Sequence, residues 1–376
     1  MIHYQQNNKI YRIVPSAHIE REANLANALY NYQSWLSRAK IQKNLDIYVE
    51  AQHMAWEIHI EKEDCRFYFC PASEEQTAII TDQYPQITIV EEEPPIFLMP
   101  ATRIKELELE HHFFFSLGIG KRKAEPLSSI LESQKHLQPH EKAVVQIIFT
   151  PESWDWHYSC AEAYKTFKSG RMPQQLRLDP KHVSLTLARL GAVVGMEVGN
   201  TIQELLVGHK DAELLKYEDQ DVGQIMKDKG LSRETMAKPG DNAYRVTIRL
   251  IAPNDIVMRT LEVSFKNLDG DNVLVAKNMK LTKKLKQRIE QRTPSPTLVK
   301  NIFSAAELNA LLTLPSPSLM RTYKISHVAQ REVPIHNLIR EGQIPIGTAR
   351  KGGKAIECHW PALYDYITLP KVVVGK

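Results

Sequence analysis

The chain has 376 residues, 43% of them hydrophobic and 24% charged, with 16 Gly and 21 Pro. That length fits two or three domains, and the composition excludes collagen-like, low-complexity and wholly disordered chains. No apolar run reaches 18 residues and the N-terminus lacks the charged-then-apolar plan of a secretory signal, so the expected address is cytoplasmic.

The four cysteines (Cys65, Cys70, Cys160 and Cys358) are too few and too scattered for a disulfide framework. Cys65 and Cys70 lie five residues apart on a strand-like run, so they are expected on opposite faces as two half-buried thiols. No Cys-x-x-Cys pair or His-Glu-x-x-His helix is present, and no metal site is expected.

In chain order, residues 16–44 predict a helix. Residues 54–60 alternate apolar Trp56, Ile58 and Ile60 with polar Glu57 and His59, and with 65–70 they predict a hairpin. Ser73 and Gln76 predict a capped helix, stopped at Tyr84 and Pro85 and followed by a strand from Ile87. Glu91, Glu92 and Glu93 beside Pro94 and Pro95 read as a solvated loop. Glu106, Glu108 and Glu110 share one face of a strand, which reads as a wet edge. Residues 111–115 read as a strand leading into the basic loop 120–123.

Helix is expected at 126–137, a buried strand at 142–150 and helix again at 155–169. The stretch 180–233 reads as mostly helical, 244–251 as a strand, 253–265 as a helix and 273–276 as a strand. Ser304 with Glu307 forms a capping box. Residues 321–360 read as short extended pieces, with 347–353 a basic hairpin turn. The expected class is α+β: two ferredoxin-like, split β-α-β modules with a helical insertion and a small C-terminal β-rich segment. The corresponding boundaries are 1–150, 151–240, 241–300 and 301–376.

Charge is unevenly spread. Residues 1–270 hold 31 Lys and Arg against 37 Asp and Glu, whereas residues 271–376 hold 17 against 7. A polyanion or an acidic partner is expected at the C-terminal end. The densest stretch carries Lys277, Lys280, Lys283, Lys284, Lys286, Arg288 and Arg292 against Glu290 alone. Leu281, Leu285 and Ile289 recur every four residues within it, so it reads as an amphipathic helix with a cationic outer face suited to nucleic-acid phosphates.

Enzyme signatures are missing: there is no Gly-x-Ser-x-Gly elbow, and Asp269, Gly270 and Asp271 read as a turn. Several runs together resemble the N-terminal region of the FtsK/HerA-type DNA-pumping ATPases of conjugative elements, the type IV secretion coupling-protein-like branch. They are WEI (56–58), RFYF (66–69), QYP (83–85), EPLSSI (125–130), EKAVVQ (141–146), PESW (151–154), FSAAEL (303–308), LPS (314–316), Pro334 and IGT (346–348). In that family the strand carrying Val372, Val373 and Val374 would run into the phosphate loop, with Gly375 as its first glycine. Lys376 does not fit as the phosphate-binding lysine, because the loop's first glycine would then fall at Pro370.

The resemblance therefore implies a non-catalytic assembly and docking region, without ATP hydrolysis of its own. ATP and Mg are expected only for a longer family member. It further implies secretion-channel or other conjugation proteins and DNA as partners, a homo-oligomeric ring, and a place at the inner face of the cell membrane without a span. The alternative is a stand-alone nucleic-acid-binding protein of a mobile element, using the basic 277–292 helix. A phosphate loop encoded just beyond Lys376 would favour the first, a stop codon the second.

Overall fold

The computed structural model describes residues 2–5, 9–16, 19, 24–36, 40–41, 47–50, 53–94, 96, 98–99, 102–119, 126–152, 156–173, 230–295, 301–327, 344–351 and 354–360. In chain order these form β1 (Ile2–Gln5), β2 (Tyr11–Val14), α1 (Leu25–Leu36), β3 (Lys40–Ile41), β4 (Ile47–Glu50), β5 (Met54–Glu61), β6 (Cys65–Cys70), α2 (Gln76–Gln83) and β7 (Thr88–Glu91). Then come β8 (Arg103–Leu109), α3 (Pro126–Leu131), β9 (Lys142–Pro151), α4 (Trp156–Lys168), α5 (Arg233–Ala237), β10 (Ala243–Ala252), α6 (Asp255–Phe265), β11 (Leu274–Asn278) and α7 (Lys283–Glu290). The rest is β12 (Ile302–Ser304), α8 (Ala305–Asn309), α9 (Pro317–Thr322), β13 (Ile344–Lys351) and β14 (Lys354–Trp360). No helix among the described residues is long and apolar enough to cross a membrane.

The strands with alternating or continuous apolar runs assemble into one sheet, in the order β11-β8-β10-β9-β5-β6-β2-β7. Every neighbouring pair in it is antiparallel. The fold is α+β, and its topology resolves into two split β-α-β units. The first is β2-α1-β5-β6-α2-β7 and the second β8-α3-β9-β10-α6-β11. Within each, the four strands take the spatial order 4-1-3-2. The units join where the second strand of each pairs, from Met54 opposite Phe149 to Glu61 opposite Lys142. The expected breaks near 150 and 241 fall inside the second unit, because residues 152–242 are inserted between its adjacent strands β9 and β10.

All the β-α-β helices lie on one face. Leu25 and Leu29 of α1, Ile80 of α2, Ile130 of α3 and Leu261 of α6 pack with Trp56, Phe67 and Ile147 into a single core. Each such side chain contributes about 1.5–3 kcal/mol on burial. Local signals start the helices: Asn254 caps α6 by accepting from the Val257 N–H at 2.9 Å. Ser304 and Glu307 close the expected capping box on α8. The Ser73 box forms by half, since Gln76 Oε1 accepts the Ser73 N–H (3.3 Å) while Ser73 Oγ has no hydrogen-bond partner among the described residues. Cys65 belongs to the helix-side core and Cys70 to a cluster on the other face, both buried rather than half-buried.

Three other expectations are corrected. Within 16–44 the described helix is α1, and Lys40 and Ile41 are strand. Residues 111–115 are turn and bend rather than strand, because Phe113, Phe114 and Phe115 are all buried. Glu106 and Glu108 are buried on β8, an inner strand, instead of lining a wet edge. The segment 180–233 lies outside the described residues up to 229.

Where β8 leaves β10, β12 takes over beside it, and Asn301 fills the junction. Its amide accepts from Leu109 N–H (3.0 Å) and donates to the carbonyls of Leu107 (3.2 Å) and Val246 (3.0 Å). Nearby, fully buried Glu307 accepts from Lys238 Nζ (2.8 Å), Ser116 Oγ (2.9 Å), Leu117 N (2.7 Å) and Ser304 N (2.7 Å). That carboxylate ties the end of the insertion to the turn before α8. The turns at Gly118 and Gly270 touch: Gly118 N–H donates to Leu268 O at 2.7 Å, and a Cβ on Gly270 would sit 2.5 Å from Gly118 N. Backbone cannot give way as a side chain can. Gly270→Ala should therefore lower stability by about 1–3 kcal/mol in urea unfolding. Gly240→Ala, where a Cβ meets nothing within 4 Å, should leave it within about 0.5 kcal/mol.

Candidate nucleic-acid interface

The basic stretch is a helix over only part of its expected length. Lys277 sits on β11, Lys280 on the link after it, and α7 begins at Lys283, where Thr282 Oγ1 accepts the Leu285 N–H at 3.1 Å. Leu285 and Ile289, one turn apart, bury against Ile104, Val144 and Ile251. These belong to β8, β9 and β10 on the face away from the other helices. Ile96 and Leu98, from the link between β7 and β8, pack into the same cluster. The sheet's second face is therefore covered here by α7 together with Ile96 and Leu98.

Beside that apolar patch runs a buried row of polar side chains. The register sets Glu106 opposite Arg249, Arg249 opposite Gln146 and Gln146 opposite Glu57. Arg249, with no exposure, donates from Nε to Glu106 Oε1 (2.9 Å), from Nη1 to Gln146 Oε1 (2.9 Å) and from Nη2 to the carbonyl of Thr293 (2.8 Å). Gln146 Nε2 donates to Glu57 Oε1 (2.7 Å) and to the carbonyl of Ile289 (3.0 Å). An amide suits this position because it accepts from a guanidinium on one side and donates to a carboxylate on the other. His59 Nε2 donates to Glu57 Oε2 at 2.9 Å.

Arg292 completes the row. Its Nε lies 3.0 Å from Glu57 Oε1, and the residue is 5% exposed. It occupies the left-handed position after α7, with φ 55°, and the end is a Schellman turn: Arg292 N–H to Ile289 O (3.2 Å) and Thr293 N–H to Arg288 O (2.9 Å). Glycine is the residue of least strain there. The arginine side chain reaches Glu57 from that turn.

Burial pushes the Glu57 carboxyl up, but the hydrogen bond from His59, the Arg292 and His59 charges and the Gln146 amide outweigh it and hold it at about 2. Burial pulls Arg249 below its ordinary value, opposed by Glu106. Burial also pushes the Cys70 thiol up to about 11 and Cys160 to about 12, which removes them as nucleophiles near neutral pH.

The expected phosphate-contacting residues therefore separate. Lys280, Lys283, Lys284 and Lys286 are exposed, and Lys286 lies 3.8 Å from Glu290. Arg288 is half-buried, and Lys277 pairs with Glu108 across to β8. Arg292 is a correction: its guanidinium is turned inward to neutralise Glu57 and does not face solvent. Gly375 lies outside the described residues. Glu57, Gln146 and Arg249 were not singled out from the sequence, although each is a polar residue within a strand whose neighbours are apolar. The chain matches no protein-family model and no curated protein.

Two predictions follow from this geometry. Glu57 is more acidic folded than unfolded, so its share of stability, about 3 kcal/mol, is present above pH 4.5 and is lost as pH falls towards 2. Urea midpoints measured across that window should fall less steeply in Glu57→Gln than in the wild type. Arg292→Gly relieves the left-handed strain of about 1 kcal/mol yet strands a buried carboxylate. It should still destabilise the chain, by about 2–4 kcal/mol.

Proposed function

We propose that the chain is a non-catalytic assembly and docking region of a conjugative DNA-translocating ATPase, and that it meets DNA through the exposed lysines of α7 and the link before it. The observation that carries the DNA contact is the seating of α7. Leu285, Ile289, the carbonyls of Ile289 and Thr293, and Arg292 are all bound to the sheet, so Lys283, Lys284 and Lys286 are presented outward from a fixed base. A cationic face held in this way binds a polyanion without first ordering the helix that carries it.

The motor setting is supported by the ordered runs that resemble the conjugative family. On this reading the two fused β-α-β units are a platform for ring assembly and for secretion-channel partners, in the cytoplasm at the inner face of the membrane. ATP and Mg belong to a neighbouring catalytic region of such a motor. The purified 376-residue chain should release no phosphate from ATP, and turnover above a no-protein control would overturn the non-catalytic reading.

DNA binding is tested by fluorescence anisotropy with duplex DNA over a salt series. Four phosphate contacts give a slope of log K against log salt of about −3.6, or roughly a hundredfold loss of affinity for a fourfold rise in salt. Changing Lys280, Lys283, Lys284 and Lys286 together to Gln should flatten that slope and remove most of the low-salt binding. The absence of binding even at low salt would overturn the DNA contact.

A further inference from the structure

The polar row does not stop at Glu57. Tyr68 of β6 lies opposite Glu57, and Arg12 of β2 lies opposite Tyr68. Arg66 lies opposite His59. These donors converge on one carboxylate, Glu92, immediately after β7. Arg12 Nη1 donates to its Oε2 (3.2 Å), Tyr68 OH donates to its Oε1 (3.0 Å), and Arg66 Nη1 lies 3.9 Å from the same Oε1. Asp64 holds Arg66 Nε at 2.6 Å, and the Glu92 N–H donates to Ile10 O at 3.0 Å, which fixes both sides of the cluster.

This end of the row differs from the sealed part beneath α7. The side chains of Arg12, Arg66 and Glu92 are 21%, 34% and 34% exposed, so solvent and solutes reach them. Arg12 Nε is buried and has no hydrogen-bond partner among the described residues. Burial, with smaller contributions from Glu92 and against the opposing hydrogen bond and charge of Arg66, pushes the Tyr68 phenol up to about 12, so it stays a donor near neutral pH. Two guanidinium groups and a phenol offer more hydrogens than the carboxylates of Glu92 and Asp64 accept. That surplus matches a phosphodiester, whose oxygens are held by arginine forks and hydroxyl donors. Within the cluster Arg12 lies two strands from Glu57, on the order of 10 Å along the face.

We propose that Arg12, Arg66 and Tyr68 form a phosphate subsite for a nucleic acid, occupied in cis by Glu92, which a backbone phosphate displaces. The proposal rests on the reading that this chain binds nucleic acid through α7, and it adds a second contact regulated by an internal acidic competitor. No covalent step is involved: one anion replaces another on the same donors.

The test is anisotropy with a fluorescein-labelled oligothymidine at low salt. Glu92→Gln keeps one acceptor oxygen, enough for either Arg12 or Tyr68 but not both, and removes the charge, so it should bind about threefold to tenfold tighter. Glu91→Gln is the control. It makes the same change of charge one residue earlier, next to Lys9, and should shift affinity by less than about twofold. Adding Arg12→Gln to Glu92→Gln should abolish the gain, with melting curves showing that each variant is folded. Unchanged or weaker binding in Glu92→Gln, or an equal gain in Glu91→Gln, overturns the subsite. If the four-lysine variant loses binding while Glu92→Gln has no effect, the subsite fails and the α7 reading stands. If the lysine variant binds normally and Glu92→Gln still tightens, the α7 reading fails and the subsite stands.

Discussion

The buried row Glu106–Arg249–Gln146–Glu57–Arg292 is the constraint on which the second face of the sheet depends. Charges taken out of water are tolerated only when paired and hydrogen-bonded, and a pair robbed of one partner is strongly destabilising. Here each of four adjacent strands supplies one member. Slipping any of them by one residue would turn its polar side chain into the apolar, helix-packed face. The row therefore ties the registers of the four strands to one another. It also fixes α7, because Gln146 and Arg249 spend donors on the carbonyls at the end of that helix.

The doubled topology explains how such a face is built. Two units of the same strand order join through their second strands, giving one broad sheet with the units' own helices on one side only. The opposite side must be covered by something outside the β-α-β repeats, and α7 with Ile96 and Leu98 supplies part of that cover. A second sealed network, around Lys238 and Glu307, secures the insertion between β9 and β10 to the segment leading into α8. The two networks share a logic: a carboxylate from one part of the chain collects donors that distant segments would otherwise leave unpaired.

Much of the site was legible in part. The period-four apolar positions Leu285 and Ile289 identified the inward face of the basic helix, and the exposed lysines follow from it. The alternation in β5 placed Glu57 and His59 on the face opposite Trp56. Whether that face was wet could not be read from β5, because what dries it is α7, some 230 residues later in the chain. Glu106 and Glu108 were misjudged for the same reason: like charges on a strand look solvated until Arg249 and Lys277 are known to be their partners. Arg292 was misjudged because an arginine beyond a lysine-rich helix carries no local sign of a left-handed turn.

Local chemistry alone determined the strand and helix periods, the capping box at Ser304, the opposite facing of Cys65 and Cys70, and the α+β class. These depend on side chains within a few residues of each other, where periodicity and capping act. Tertiary structure decided which strands adjoin, where the units begin and end, and which charges are sealed and which meet solvent. Those outcomes depend on partners brought together from distant positions, and the free energy of a charge is set by whatever surrounds it in space.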